Sequence, residues 1–165
     1  GLDDLDHWVR WMNDRAVSRF LIPPDQCFRR VDAEVYWAQT HGSRSERVYG
    51  VEAEDRTLIG LVTLHKIASD RSRCELGILI GERAYLGRGY GRAAIEAALD
   101  IAFKDLGIAS VALRVAASNT RAIAAYERVG FTVRHRFPQR IVVDGHPDDE
   151  LFMAIDAPIE LRTGS

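Results

Sequence analysis

Lysine is almost missing from this chain of 165 residues: of 22 basic residues only Lys66 and Lys104 are lysines, and the rest are arginines. Twenty-four carboxylates offset them and leave a formal net charge of −2. A chain so balanced has no global field that would draw nucleic acid, and genomic base composition accounts for the arginine bias as readily as function does. Cysteine is scarce as well. Cys27 and Cys74 lie far apart with no metal-ligand spacing. They suit reduced core residues of a cytoplasmic protein, with a single disulfide as the alternative. The five histidines are scattered, with no pair at helical metal-binding spacing, so no metal is expected. No apolar run reaches bilayer-spanning length and no signal peptide is visible, which argues against a membrane. Repeats, low-complexity tracts and internal linkers are also missing, and the length suits one domain over residues 1–165. The chain starts at Gly1, directly before a helical pattern, which suggests trimming.

What is present reads as alternating elements. Residues 3–13 form a helix with Leu5, Trp8, Val9 and Met12 on one face. Pro23-Pro24-Asp25 breaks the chain, and residues 31–40 form a second helix that starts near Asp32. Residues 47–54 and 57–65 read as strands joined at Glu54-Asp55-Arg56, and residues 66–72 as a loop. Residues 73–80 form a third strand, 90–106 a long helix closed by Gly107, and 108–115 a buried strand. A helix over 119–129 ends at Gly130, strands follow at 131–137 and 150–155, and residues 160–165 read as loose. Early hairpins followed by strand–helix alternation imply an α/β chain with a mixed sheet covered by helices.

The most informative stretch is Gly87-Arg88-Gly89-Tyr90-Gly91-Arg92, between a strand and a long helix. Such a turn leaves backbone N–H groups unpaired at the positive end of the helix dipole, where an anion, most often a phosphate, is favoured. A Walker loop is excluded because Arg92-Ala93 follows the last glycine. Nicotinamide binding is disfavoured because the next strand has no closing Asp or Glu.

Leu86-Gly87-Arg88-Gly89-Tyr90-Gly91, followed by Asn119-Thr120-Arg121-Ala122 and Tyr126-Glu127-Arg128-Val129-Gly130-Phe131, resembles the motifs of the GCN5-related N-acetyltransferase (GNAT) superfamily. Leu86 replaces the usual polar first residue. Within the superfamily, Val9-Arg10-Trp11-Met12-Asn13-Asp14, Glu34-Val35-Tyr36-Trp37, Tyr49-Gly50-Val51 and Leu58-Ile59-Gly60 resemble the subgroup of ribosomal-protein N-terminal acetyltransferases. The resemblance implies the GNAT acyl-CoA fold, with a central mixed, mostly antiparallel sheet flanked by helices. It also implies transfer of an acetyl group from acetyl-CoA to a primary amine by direct attack in a ternary complex, and is compatible with a homodimer. The acceptor would be a small-molecule amine or a protein N-terminus.

On that resemblance the pantetheine arm lies between the third and fourth strands and pairs with backbone at Ile78, Leu79 and Ile80. Gly77 suggests a bulge that would free such groups. Gly89, Tyr90 and Gly91 would hold phosphates through backbone, and Arg88, Arg92 and Arg128 through side chains. Asn119 would cap its helix and, with Tyr126 two turns on, line the same groove. Tyr126 is the candidate general acid for the leaving thiolate. Glu75 is the candidate general base, its pKa raised by burial, or else a partner of Arg73 or Arg114. His65 and water remain alternative bases. The basic group Arg134, His135, Arg136 and Arg140 reads either as a solvated edge or as an attraction for an anionic acceptor. Two further readings stay open: an inactive GNAT-fold acyl-CoA sensor, and a nucleic-acid module using the basic group.

Overall fold

The computed structural model describes residues 4–21 and 25–162. The break at Pro23-Pro24 lies outside them, as do residues 163–165. A six-stranded sheet carries the molecule: β1 (Arg47–Glu52), β2 (Leu58–His65), β3 (Cys74–Ile80), β4 (Ser110–Ala116), β5 (Thr132–Val143) and β6 (His146–Asp156), in spatial order β1-β2-β3-β4-β6-β5. Every neighbouring pair is antiparallel except β3–β4, which is parallel. The helices are α1 (Leu5–Asn13), α2 (Arg15–Ser18), α3 (Arg30–Thr40), α4 (Tyr90–Asp100), α5 (Thr120–Val129) and α6 (Ile159–Arg162), with a 3₁₀ turn at Arg83–Tyr85. α4 does not run on as an α-helix to Leu106; its hydrogen bonding widens to a π turn over Ile101–Asp105, with Leu106 N–H donating to the Ile101 carbonyl at 2.9 Å.

Strand alternation sorts the sheet into two faces. Cys74, Leu76 and Ile78 join Ile95, Ala98 and Leu99 of α4 and Tyr126 of α5 in the main core, which also takes in Phe131 and Met153. Leu79 points the other way and packs with Trp11 and Met12 of α1, Trp8, Val17 and Phe28. Trp8 in turn meets Phe28 and Tyr36, with ring centroids 4.9 and 4.8 Å apart, which seats α3 beside α1.

Three sequence expectations are corrected. Gly77 makes no bulge: β2 and β3 stay in register from Gly60↔Ile80 to His65↔Glu75. The missing side chain leaves room for Thr63, whose Oγ1 would lie 2.5 Å from a Cβ at that position. The strands expected over 131–137 and 150–155 run further, because β5 and β6 form one long hairpin from Thr132 to Asp156. Its turn is Asp144-Gly145, both at positive φ (49° and 82°), the signature of a type I′ hairpin. Cys27 is exposed rather than part of the core, and both cysteines are free.

α1 is fixed by one close approach. Trp11 is 2% exposed and its Nε1 donates to Glu82 Oε1 at 2.8 Å. A Cβ on Gly81 would come within 2.0 Å of the indole. Gly81→Ala should therefore lower the denaturation midpoint, with a loss of roughly 1–3 kcal/mol, the range for overpacking a filled core. A midpoint equal to that of the parent would show that the indole shifts freely.

Candidate active site

β3 and β4 pair at only two positions, Cys74↔Val111 and Glu75↔Ala112, and then part. From Leu76 to Ile80 the β4-facing backbone of β3 has no strand partner on that side. A cleft of about 800 Å³ occupies the gap. Because the gap cuts through the sheet, elements of both layers line it. Gly87, Gly91, Ile95, Asn119, Arg121 and Tyr126 come from the α4–α5 layer. Ala16 and Val17 of α2, Arg19 at its C-terminal cap and Ile141–Val143 of β5 belong to the other. Ile78, Leu79 and Ile80 lie between, with Arg114, Val115 and Ala116 of β4 and Glu150 of β6.

The turn before α4 has the expected conformation. Gly87 and Gly89 have φ of 77° and 90°, a region that side chains disfavour. The first intrahelical bond runs from Ala93 N–H to the Gly89 carbonyl, which leaves the N–H groups of Tyr90, Gly91 and Arg92 without helical partners. Asn119 caps α5, its side chain accepting the Ala122 N–H at 3.3 Å.

The candidate residues therefore divide. Ile78, Leu79, Ile80, Gly91, Asn119 and Tyr126 line the cleft together; Arg88, Gly89, Tyr90, Arg92, Arg128 and Glu75 do not. Arg88 stacks over the rings of Tyr85 and Tyr90, at 5.2 and 5.8 Å. Arg92 is tied to Glu96 at 2.8 Å. Arg128 sits exposed in the last turn of α5. The arginine of α5 that reaches the cleft is Arg121, whose Nη2 would lie 3.9 Å from a Cβ on Gly87. Sequence reasoning passed over it, although it stands in the first turn of the helix that Asn119 caps.

Tyr126 is buried on the core side and meets Phe131 edge to face, centroids 5.9 Å apart. Burial pushes its phenol up to about 12, so the hydroxyl keeps its proton at every working pH.

Glu75 stands in a polar ribbon that crosses five strands in their spatial order, alternating in charge from Glu75 onward: His65 on β2, Glu75 on β3, Arg114 on β4, Glu150 on β6, Arg140 on β5. His65 Nε2 lies 3.5 Å from Glu75 Oε2, Arg114 Nε lies 3.8 Å from it, and Arg114 Nη1 donates to Glu150 Oε1 at 2.8 Å. Arg140 Nε completes the run 3.6 Å from Glu150. Lys66 Nζ adds a hydrogen bond to Glu75 at 3.0 Å. Burial pushes the Glu75 carboxyl up, but the Lys66 hydrogen bond and the charges of Lys66, Arg114 and His65 outweigh it, so the net shift is downward. The expected rise toward neutrality is thus reversed.

The basic group of β5 is likewise paired off. The hairpin register sets it beside the acidic run of β6, and Arg134 meets Asp156, Arg136 meets Asp149 and Arg140 meets Glu150. No free positive patch is left there to draw an anionic acceptor. At the hairpin tip, Asp144 accepts from Arg15 and Arg19, each at 2.7 Å, and so straps α2 over the cleft. Among the described residues, no group of three or more His, Cys, Asp or Glu could hold a metal ion, and no helix is long and apolar enough to cross a membrane.

A depressed carboxylate stabilises the fold above its unfolded pKa, and that contribution is lost as pH falls through its lowered folded value. Glu75→Gln should therefore flatten the acid-induced loss of stability below about pH 5. Parallel stability–pH curves for parent and variant would contradict the pairing.

The sequence profile of the acetyltransferase (GNAT) domain matches residues 1–132. Spermidine N(1)-acetyltransferase of Vibrio cholerae is 30% identical over 137 residues, covering 83% of this chain and 78% of that protein. Its counterpart from Escherichia coli is 29% identical over 154 residues, covering 93% and 81%. A putative ribosomal N-acetyltransferase of Bacillus subtilis, YdaF, is 28% identical over 109 residues, covering 64% and 59%. The crystal structure of the V. cholerae spermidine N-acetyltransferase in complex with CoA and spermine superposes with a TM-score of 0.85 at 27% identity, covering 93% of this chain and 90% of that one. With the fold, the glycine turn and the cleft in agreement, the chain belongs to the GNAT family and is an acetyl-CoA-dependent N-acetyltransferase.

Proposed function

We propose that acetyl-CoA and a small primary amine meet in the gap between β3 and β4 and react directly, in a ternary complex, from opposite layers of the sheet. The observation that carries this is the loss of β3–β4 pairing after Glu75↔Ala112, which opens one cleft to both layers. On the α4–α5 side, the N–H groups of Tyr90, Gly91 and Arg92 and the guanidinium of Arg121 take the diphosphate. Gly87 and Gly89 hold the turn that aims those groups. Arg88, Arg92 and Arg128, outside the cleft, are left the CoA phosphate that projects from it. The unpaired backbone of Ile78, Leu79 and Ile80 takes the pantetheine amides, as an added strand would, and one N–H there faces the thioester oxygen.

Bound acetyl-CoA supplies a carbonyl carbon open to attack by an amine. The protein aligns the two reactants: the amine, its surplus proton passed to water, forms the C–N bond, Tyr126 gives its proton to the sulfur as the C–S bond breaks, and the proton released from nitrogen returns to Tyr126 through water. Glu75 is set behind Arg114 rather than in the cleft. A base role for it, or for His65, therefore runs through water rather than by direct contact with the amine.

For the acceptor we favour a small aliphatic amine over a protein N-terminus. The strap from Asp144 ties the β5–β6 hairpin to Arg15 of α2 and to Arg19 on the acceptor side, and the relatives matched over most of the chain are named for spermidine. The partial match to a ribosomal acetyltransferase supports the other reading. Free cysteines and the use of acetyl-CoA agree with a cytoplasmic enzyme.

Tyr126→Phe should reduce kcat by roughly 10²–10⁴ with CoA affinity retained. In the parent, a phenol at about 12 gives kcat no alkaline fall up to pH 10. A kcat within about twofold of the parent's would assign Tyr126 to packing alone. Arg121→Ala should weaken CoA binding roughly tenfold by calorimetry, and by more than Arg128→Ala, which removes one of three arginines left to the projecting phosphate. The reverse order would move the phosphate contact to the far end of α5.

A further inference from the structure

We propose that Glu150 is the seat of the acceptor's ammonium group, which passes its surplus proton to water before the nitrogen attacks, and that the enzyme therefore selects amines that arrive as cations. The inference rests on the transferase reading above and names the substrate class of that site. Among the described residues lining the cleft, Glu150 is the one carboxylate. It opposes Ala116 of β4 and Phe137 of β5, where the sheet has already parted from β3. α4 and its glycine turn occupy the other layer, so Glu150 stands on the side left to the acceptor. Its side chain is 14% exposed, and a carboxylate so enclosed needs a cation beside it.

The cations there now have other places to rest. Arg114 donates to Glu150 at 2.8 Å, yet it also has Glu75 at 3.8 Å and the ring of Phe152 5.4 Å below its guanidinium. Arg140 lies 3.6 Å from Glu150 and stacks over Phe137 at 4.5 Å. An arriving ammonium can take over Glu150 while Arg114 passes to Glu75 and Arg140 stays on its ring, so no charge is left unpaired. This exchange gives Glu75 a use that needs no contact with substrate. It holds Arg114 while Glu150 is engaged, and is a positioning residue in that sense.

The test measures thiol release from acetyl-CoA with two probes, spermidine as a cationic amine and aniline as an amine uncharged at neutral pH, with CoA affinity measured by calorimetry. Glu150→Gln should raise KM for spermidine roughly tenfold or more and remove its salt dependence. KM for aniline and the Kd of CoA should stay within about twofold. A spermidine KM that stays within about twofold of the parent's overturns the assignment, as does an equal rise for both amines at unchanged CoA affinity. A parent enzyme that acetylates aniline but not spermidine overturns it too, and leaves the transferase reading standing. A parent that fails to bind CoA overturns that reading instead, and one that binds CoA but acetylates neither amine removes the acceptor class. Should Glu150→Gln not fold, Glu150→Asp keeps the charge: a smaller rise in the spermidine KM with its salt dependence retained supports the seat, and an unchanged KM overturns it.

Discussion

Everything that matters in this molecule follows from two strands that start side by side and then separate. Parallel neighbours in a sheet normally satisfy one another along their length, and an open backbone edge inside a protein is costly. Here the pairing stops after two residues. The open stretch of β3 is tolerable only because it faces a cleft that water or a ligand amide can enter. The core on each side does not depend on the missing pairs. Ile78 turns toward α4 and α5, Leu79 toward α1, and each layer closes on its own residues. The sheet is thus held together by its helices at the place where its hydrogen bonds give out.

The charge ribbon is the other device that spans the gap. It alternates sign from Glu75 to Arg140, with His65 at its near end, and between Glu75 and Arg114 it crosses the line where β3 and β4 diverge. Partly enclosed ion pairs of this kind contribute little to net stability once desolvation is counted. Their value lies in geometry, because Glu75, Arg114 and Glu150 each have at least two partners of opposite sign, and none of the three is stranded when one moves. The long hairpin of β5 and β6 serves the same end, since its register sets arginines against carboxylates and leaves the face near neutral.

Much of this was legible in the sequence, and the exceptions have physical causes. The glycine turn, the Asn119 cap and the Gly130 stop are local devices, set by the conformational needs of a few residues, and they stand where the sequence put them. The separation of β3 and β4 came with the family resemblance rather than with the residues, because no residue of either strand announces it. The far half of the β5–β6 hairpin was hidden by Pro138 and Pro147, although Asp144-Gly145 between them carries a strong turn signal. Of the two readings open for Glu75, the pairing with Arg114 holds and the raised pKa does not. A lone carboxylate in an apolar strand suggests a raised pKa, and what lowers it are cations brought from β2, β4 and the loop after β2. Arg121 escaped notice because spacing along a helix does not say which arginine faces a gap between strands.

The order of strands has a consequence for how the chain is made. β6 is the last strand in sequence but not in space; it lies between β4 and β5 and pairs with both. While the polypeptide is still leaving the ribosome, β1, β2 and β3 can zip together and β5 can emerge, yet β4 has almost no partner until residues 146–156 are clear of the exit tunnel. An exposed, apolar β4 is a template for the wrong strand, including one from a neighbouring nascent chain. The type I′ turn at Asp144-Gly145 bears on that hazard. By folding β6 back onto β5 as soon as both exist, it delivers a ready-paired ribbon to the waiting edge, so that a slow search by a single strand becomes one docking step.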